Sequence, residues 1–388
     1  MYPLIRTSLL SILLFGSTYL YSQLIANGRY LSVSNHVLHA YSEIPSTELV
    51  GKARDIIATT RQRALLYERL IESSHLIDGM VVNRGASGEM LDQCDSLLFS
   101  SIRYVSLAKL SWLDEASKAW AAIESSKDRD AWLRHPRCYR SISRDMLLGL
   151  LIAMTRSPPR FEQHLSQLMF MIHQNNGFFG TGPVYVSYLS PGLARLMRGF
   201  AKRDLRIAPK IPDLIAAGYS TAEIEVLLNP AGYTSHLGGL TAWLEMELND
   251  QGLHLGDSRL SFLGAADSLV APFGKFSLTD QRLEWITDRL MKADQQNLFF
   301  RYLRFRSVGG LSNTVRLKLL NELITMRQFP ADRLPMDCDR HSDYLWQRAN
   351  KSANYDPIPC QIEFSGVDFL WMAALLLEGL DSSSLTSH

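Results

Sequence analysis

The sequence predicts an all-α protein, a double-layered helical (α/α) toroid of helical hairpins, with an irregular helical bundle as the alternative. Three observations carry this. Alternating β-branched runs hardly occur, while apolar residues recur at helical spacing along most of the chain. Several of these helices are apolar on nearly every face, and a helix of that kind has to be covered on all sides. Between several of them stands a second helix with an ordinary one-sided apolar stripe. Closing such hairpins into a ring buries the apolar members as an inner wall and leaves the amphipathic ones outside.

The elements follow in order. "STELVGKARDIIATTRQRALLYERLIESSHL" (46 to 76) reads as a long amphipathic helix begun by Ser46 or Thr47. The more apolar runs are 94 to 110, "SRDMLLGLLIAM" (143 to 154), 190 to 203, 235 to 248, 279 to 293, 312 to 326 and "GVDFLWMAALLLEGL" (366 to 380). Residues 159 to 174 and 221 to 229 are partner helices of ordinary amphipathic character. Gly, Pro and Asn concentrate in the connections, as in "APFGKFS" and "ANYDPIP". The apolar helices start at intervals of roughly 30 to 55 residues, near the spacing of helical-hairpin repeats, but no residue-level repeat accompanies it.

The chain has 388 residues, with Lys+Arg 40 against Asp+Glu 39 and a formal charge of +1. That balance provides no basic field for nucleic acid. With 46% hydrophobic and 20% charged residues the chain is globular. Residues 1 to 22 carry one cation, Arg6, and an apolar run from about Leu9 to Tyr21. This reads as a secretory signal or an uncleaved N-terminal membrane anchor, with a buried first helix as the plain alternative. Residues 23 to 45 read as a linker and 46 to 383 as one helical domain, which places the protein outside the cytoplasm. Cys94, Cys138, Cys338 and Cys360 allow three complete pairings, of which export makes any one available. Free buried thiols are the other reading.

In a ring of this kind every inner helix runs the same way, so their N-termini share a face. Asp95, Asp145 and Asp368 stand in or next to the first turns of three apolar helices. The plain reading is local: a carboxylate there is favoured by the helix dipole and by unpaired N–H groups, and Ser143 is placed to cap. The collective reading is a rim of carboxylates, the arrangement that divides acid and base roles in glycoside hydrolysis. Ahead of Asp145, "RDAWLRHPRCYRSISRD" (129 to 145) sets Trp132, His135 and Tyr139 among Arg134, Arg137, Arg140 and Arg144. Such a loop offers surfaces for stacking a sugar and guanidinium groups for holding it. His135 is the further acid/base candidate. "NNGFFGTGPVYVSYLSPG" (175 to 192) offers Phe178, Phe179, Tyr185 and Tyr188 as a groove wall or as packing.

Other motifs are weaker. "DCDRHSDYLWQR" (337 to 348) crowds Asp337, Asp339, His341 and Asp343 together, but the glycine and terminal glutamate of a calcium loop are missing. Asn350-Lys351-Ser352 matches a glycosylation acceptor. His36 and His39 stand three apart with no acid nearby, and neither a His-Glu-x-x-His zinc motif nor a Gly-x-Ser-x-Gly elbow occurs. No cofactor or metal is expected.

The run of apolar helices, clearest in "SRDMLLGLLIAM" and "GVDFLWMAALLLEGL", resembles the α/α-toroid architecture of carbohydrate-active enzymes over most of residues 50 to 380. Terpene cyclases, lanthionine cyclases and epimerases share that architecture, but the aspartate-rich metal motif of the cyclases and a Cys/His zinc set are absent here. The expectation is a glycan-acting enzyme, hydrolase or lyase, with a polysaccharide as partner. Asp145, Asp95 and His135 would be catalytic. Arg144, Arg140, Trp132, Tyr139, Asp368, Phe178, Phe179 and Tyr185 would hold substrate. The competing expectation is a non-catalytic envelope protein that uses the same groove to bind a glycan or protein.

Overall fold

The computed structural model describes residues 46–85, 87–91, 93–129, 131–175, 232–251, 278–339 and 360–380, with a few positions between 178 and 226. The expected signal or anchor, the linker, the helices at 190 to 203 and 221 to 229 as whole elements, Tyr185, His341, Asp343, Asn350, His36 and His39 lie outside the described residues.

The described chain is mostly helical, with small antiparallel sheets that the sequence reading did not anticipate. Its first helix, α1 (Ser46–Ser74), buries Ala53, Ala64, Tyr67 and Ile71 along one face. Two hairpin strands follow, β1 (Leu76–Ile77) and β2 (Met80–Val81), turning through Asp78 and Gly79, both at positive φ. Consecutive left-handed residues are what a two-residue hairpin turn requires. β3 (Asn83–Gly85) and β4 (Met90–Leu91) then pair, and β3 also takes a strand from far along the chain, β10 (Ile362–Glu363). Next come α2 (Ser96–Lys109) and α3 (Leu113–Ser125). The arginine-rich stretch is a three-stranded meander of β5 (Lys127–Asp128), β6 (Ala131–His135) and β7 (Cys138–Ser141), where the sequence suggested a loop. α4 (Arg144–Met154) and α5 (Phe161–Gln174) follow, then the short pair β8 (Phe178–Phe179) and β9 (Ser187–Tyr188). The remaining helices are α6 (Gly232–Asp250), α7 (Leu278–Ala293), α8 (Leu298–Ser307), α9 (Asn313–Thr325) and α10 (Val367–Leu377).

Ion pairs fix the direction of five of these helices. Lys109, the last residue of α2, binds Glu247 of α6 at 3.0 Å and Glu378, just past α10. Arg156, two residues past α4, binds Glu378 at 2.8 Å. Arg306, near the end of α8, binds Glu247 at 3.1 Å and also Asp250. So α2, α4, α6, α8 and α10 bring their carboxyl ends to one cluster. At the middle of α4, a Cβ on Gly149 would lie 2.7 Å from the Leu98 Cα near the start of α2. Leu98 thus matches Gly149 as Lys109 matches Arg156, and the two helices run the same way. The same test works for α6 and α8, where Gly239 meets Phe299 and Leu303 while Glu247 meets Arg306.

Helices α1 and α9 run against this set. Arg63 of α1 lies over Phe369 at the start of α10, and His75 beyond the end of α1 reaches Glu363 before that start. Arg316, early in α9, donates to the Leu375 carbonyl late in α10, while the Ile324 carbonyl at the far end of α9 accepts from Arg63. This corrects one expectation. The segments at 279 to 293 and 312 to 326 were placed among the apolar, co-directed helices, yet α7 and α9 run against them. The co-directed role falls to α8, whose arginines disguise it: Arg301 and Arg304 are buried and each holds a glutamate of a neighbouring helix. Between α6, α8 and α10 the space is filled by Trp243, Trp371 and Phe299, with Trp371 4.6 Å from Trp243 and 6.3 Å from Phe299.

Both disulfides pair neighbours in sequence, Cys94 with Cys138 and Cys338 with Cys360, leaving no free thiol. Two disulfides fit an oxidising compartment. Among the described residues no helix is long and apolar enough to cross a membrane.

Candidate functional site

Because five helices end together, their first turns lie toward the opposite end of the domain, a helix length away: about 21 Å for α2 and about 16 Å for α4 and α10. Asp95, Asp145 and Asp368 all belong to these starts. α2 packs against both α4 and α10 and so stands between them.

Asp95 occupies the cap position of α2 and ends a short 3-10 turn (Gln93–Asp95). Its side chain makes no capping bond. Instead it faces the Arg134 guanidinium of β6 at 3.6 Å and is about one-third exposed. Arg134 also donates to the Cys94 carbonyl, and Cys94 is disulfide-bonded to Cys138 in β7. One covalent and one ionic tie therefore clamp the meander to the start of α2. β7 leads through Ser143 into α4. Ser143 stands at the cap position but makes no capping bond, because its hydroxyl donates to the Asp145 carboxylate. Asp145 is half-buried and Arg144 beside it is exposed.

Four expected site residues, Trp132, His135, Asp368 and Phe179, lie inside the protein. Trp132 is fully buried, edge-on to His164 at 5.3 Å. It is a core residue of the meander and presents no face for a sugar to stack on. His135 is also fully buried. Its Nε2 faces the Ile77 carbonyl at 3.1 Å and its Nδ1 accepts the Arg137 N–H at 3.0 Å. Burial lowers its pKa below the ordinary imidazole value, so at neutral pH it is uncharged, with the proton on Nε2. The ring ties the β6–β7 turn to the β1–β2 hairpin. Asp368 is 3% exposed, and its Oδ1 accepts the Phe369 N–H. The next residue, Phe369, stacks on the Tyr67 ring at 4.5 Å, and the Asp368 carboxylate adds to the burial that raises the pKa of the Tyr67 phenol. Gly366 starts this helix at φ +65, where a Cβ would strike the Tyr67 ring at 2.7 Å.

The other expected residues are placed by their backbone. Tyr139 and Arg140 lie in β7, and Phe178 in β8 pairs with Tyr188. Phe179 is fully buried. Among the described side chains Asp95, Asp145 and Arg144 are accessible at this end, Arg134 is mostly covered, and exposed Arg137 is held by Asp78 through two bonds of 2.7 Å.

The acidic loop at 337 serves as a tie. Asp339 takes both Arg333 nitrogens at 2.7 Å and the Met336 N–H, and Asp337 accepts the Gln361 N–H. Among the described residues no three His, Cys, Asp or Glu side chains are grouped to hold a metal ion.

The ion cluster at the carboxyl ends is the feature that sequence reasoning missed. Lys109 has no exposed side-chain surface and lies 5.7 Å from the Trp243 ring centre. Burial depresses its pKa although Glu247 and Glu378 oppose this. Burial pushes the Glu378 carboxyl up, but Lys109 and Arg156 together outweigh it and hold the group below its usual range. The legible signal was a cation in the last turn, as the helix dipole favours; its acidic partners are more than 130 residues away.

Comparison with known proteins adds no assignment: no protein-family model matches the chain, and none of the curated proteins or solved structures compared with it matches.

Proposed function

We propose that the chain is an α/α toroid that works outside the cytoplasm, secreted, periplasmic or held by its N-terminal segment, as a glycan-acting hydrolase or lyase. The site is the amino-terminal rim of the co-directed helices. Asp145 and Asp95 act as the acid/base pair, and Arg134 and Arg144 orient the substrate. The observation that supports this is the shared carboxyl-end cluster, which sets the starts of α2, α4 and α10 toward one end and leaves two accessible carboxylates there. Among the described contacts, Asp95 faces the Arg134 guanidinium and Asp145 accepts from the Ser143 hydroxyl. Unlike neighbours are what divide acid and base roles between two carboxyl groups.

The test is turnover of a panel of polysaccharides, read as new reducing ends or as absorbance of unsaturated products. Asp145→Asn should keep the fold and abolish turnover. A parent protein that cleaves no glycan, or an Asp145→Asn variant as active as the parent, rejects the catalytic reading.

A second reading is favoured by a specific observation. His135 and Trp132 are fully buried, so neither the expected imidazole nor the expected indole is offered at the rim among the described residues. An envelope protein that binds a glycan or protein partner at the same rim needs neither. It predicts binding without turnover.

A further inference from the structure

The meander beside the rim carries a net positive charge in its sequence. Residues 127 to 145 hold six cations, Lys127, Arg129, Arg134, Arg137, Arg140 and Arg144, against three carboxylates, Asp128, Asp130 and Asp145. The whole chain balances to +1, so this excess is local. Two more carboxylates reach in and are each committed: Asp95 to Arg134 and Asp78 to Arg137. Arg129, in the β5–β6 turn, and Arg144, the first residue of α4, are exposed and form no ion pair among the described residues. Arg129 is held at φ +54, which fixes the backbone of the turn that carries it.

Strand register places these two arginines toward the same end of the meander. Leu133 in β6 lies opposite Ser141, three residues before Arg144, and Asp128 lies opposite Ala131, next to the Arg129 turn. Arg137 occupies the turn at the opposite end of β6. A planar guanidinium donates two parallel bonds and matches a carboxylate better than it matches a neutral hydroxyl. The starts of α2 and α4 add the positive ends of two helix dipoles.

We infer that the rim is selective for acidic glycans, chains bearing carboxylates such as polyuronates, with the guanidinium groups of Arg129 and Arg144 taking the sugar carboxylates. This deepens the proposed function and rests on it, since it specifies the charge of the glycan bound at the same rim. Two arginines and a chain-wide balance near zero fit a sparse acidic saccharide better than a nucleic acid.

The test is affinity electrophoresis of the intact chain in gels containing polygalacturonate, dextran or single-stranded DNA, at low and at high salt. Retardation by polygalacturonate only, lost at high salt and at least tenfold weaker in Arg129→Gln/Arg144→Gln, is the expected result. That variant alters two exposed side chains, and a urea midpoint equal to the parent's certifies its fold. Equal retardation by dextran overturns the acidic preference and leaves the glycan function standing. Equal retardation by DNA, or undiminished polygalacturonate binding in the variant, overturns the inference. Retardation by none of the three, together with failure on the wider polysaccharide panel, overturns the inference and the proposed function alike.

Discussion

If the cluster around Lys109 holds five helix ends together, unpairing its buried ammonium should cost more than removing it. The ammonium has no exposed surface and lies 3.0 Å from Glu247. At an effective dielectric constant of about 20 a pair at that separation attracts by about 5 kcal/mol, most of which desolvation offsets. In Glu247→Gln/Glu378→Gln the lysine stays buried with no carboxylate beside it. Stranding a buried charge in this way costs about 3–5 kcal/mol. In Lys109→Met the methylene stem is kept, and both glutamates retain arginines: Glu247 has Arg306 at 3.1 Å, and Glu378 has Arg156 at 2.8 Å. That loss should be about 2 kcal/mol or less. The assay is urea unfolding followed by tryptophan fluorescence, since Trp243 lies under the lysine. The order of the two variants matters more than either value. A double glutamine variant as stable as Lys109→Met, or within about 1 kcal/mol of the parent, would refute the view that the pairing is what makes the buried lysine tolerable.

Three further predictions concern the frame around the rim. Gly149→Ala places a methyl group 2.7 Å from the Leu98 backbone, so α2 and α4 must separate; overpacking should cost about 1–3 kcal/mol despite alanine's better helix propensity, again by urea unfolding. Replacing Cys94 and Cys138 with serine releases a loop with a sequence separation of 44, worth about 4 kcal/mol by chain entropy, and amide exchange should quicken first in the meander; uniform exchange would contradict the clamp. Acid should destabilise the fold through His75, His135 and His164, whose pKa values burial lowers from the ordinary 6.5. Each depressed imidazole contributes stability that is complete above about pH 6.5 and is lost as pH falls toward its folded value, because the unfolded chain binds the proton first. Glu68, raised by burial against the pull of Arg103, acts in the opposite sense, adding stability as pH falls through its raised value toward 4.5. A urea midpoint unchanged between pH 7.5 and 5.5 would contradict the histidine account.

Much of the helical frame was legible because periodicity and punctuation agree in the sequence. The reading 143 to 154 meets a helix at Arg144–Met154, and 366 to 380 meets one at Val367–Leu377. What failed did so for physical reasons. α8 was hidden because "LFFRYLRFRS" looks half solvent-facing, while its arginines are buried against glutamates of other helices. The strands were hidden because runs of two to five residues such as "AWLRH" are too short to show alternation and depend on partners elsewhere. β10 pairs with β3 across some 280 residues, which no local pattern records. The three aspartates were found because the first turn of an apolar helix is a conspicuous place for a charge. Their unequal exposure was not legible, since it depends on the burial of the start of α10 and on Arg134 reaching across from a strand. His135 shows the same limit: in sequence it is a histidine beside a proline, and only the hairpin packed against it shows both ring nitrogens engaged.

The most direct test of the rim is to locate a bound saccharide. A crystal of Asp145→Asn soaked with an oligogalacturonate should show the sugar across the starts of α2 and α4, within hydrogen-bonding distance of Arg144 and of either Asp95 or the substituted amide at position 145. Density for the oligosaccharide at the Lys109 end of the helices, or on any surface remote from the meander, would contradict the account.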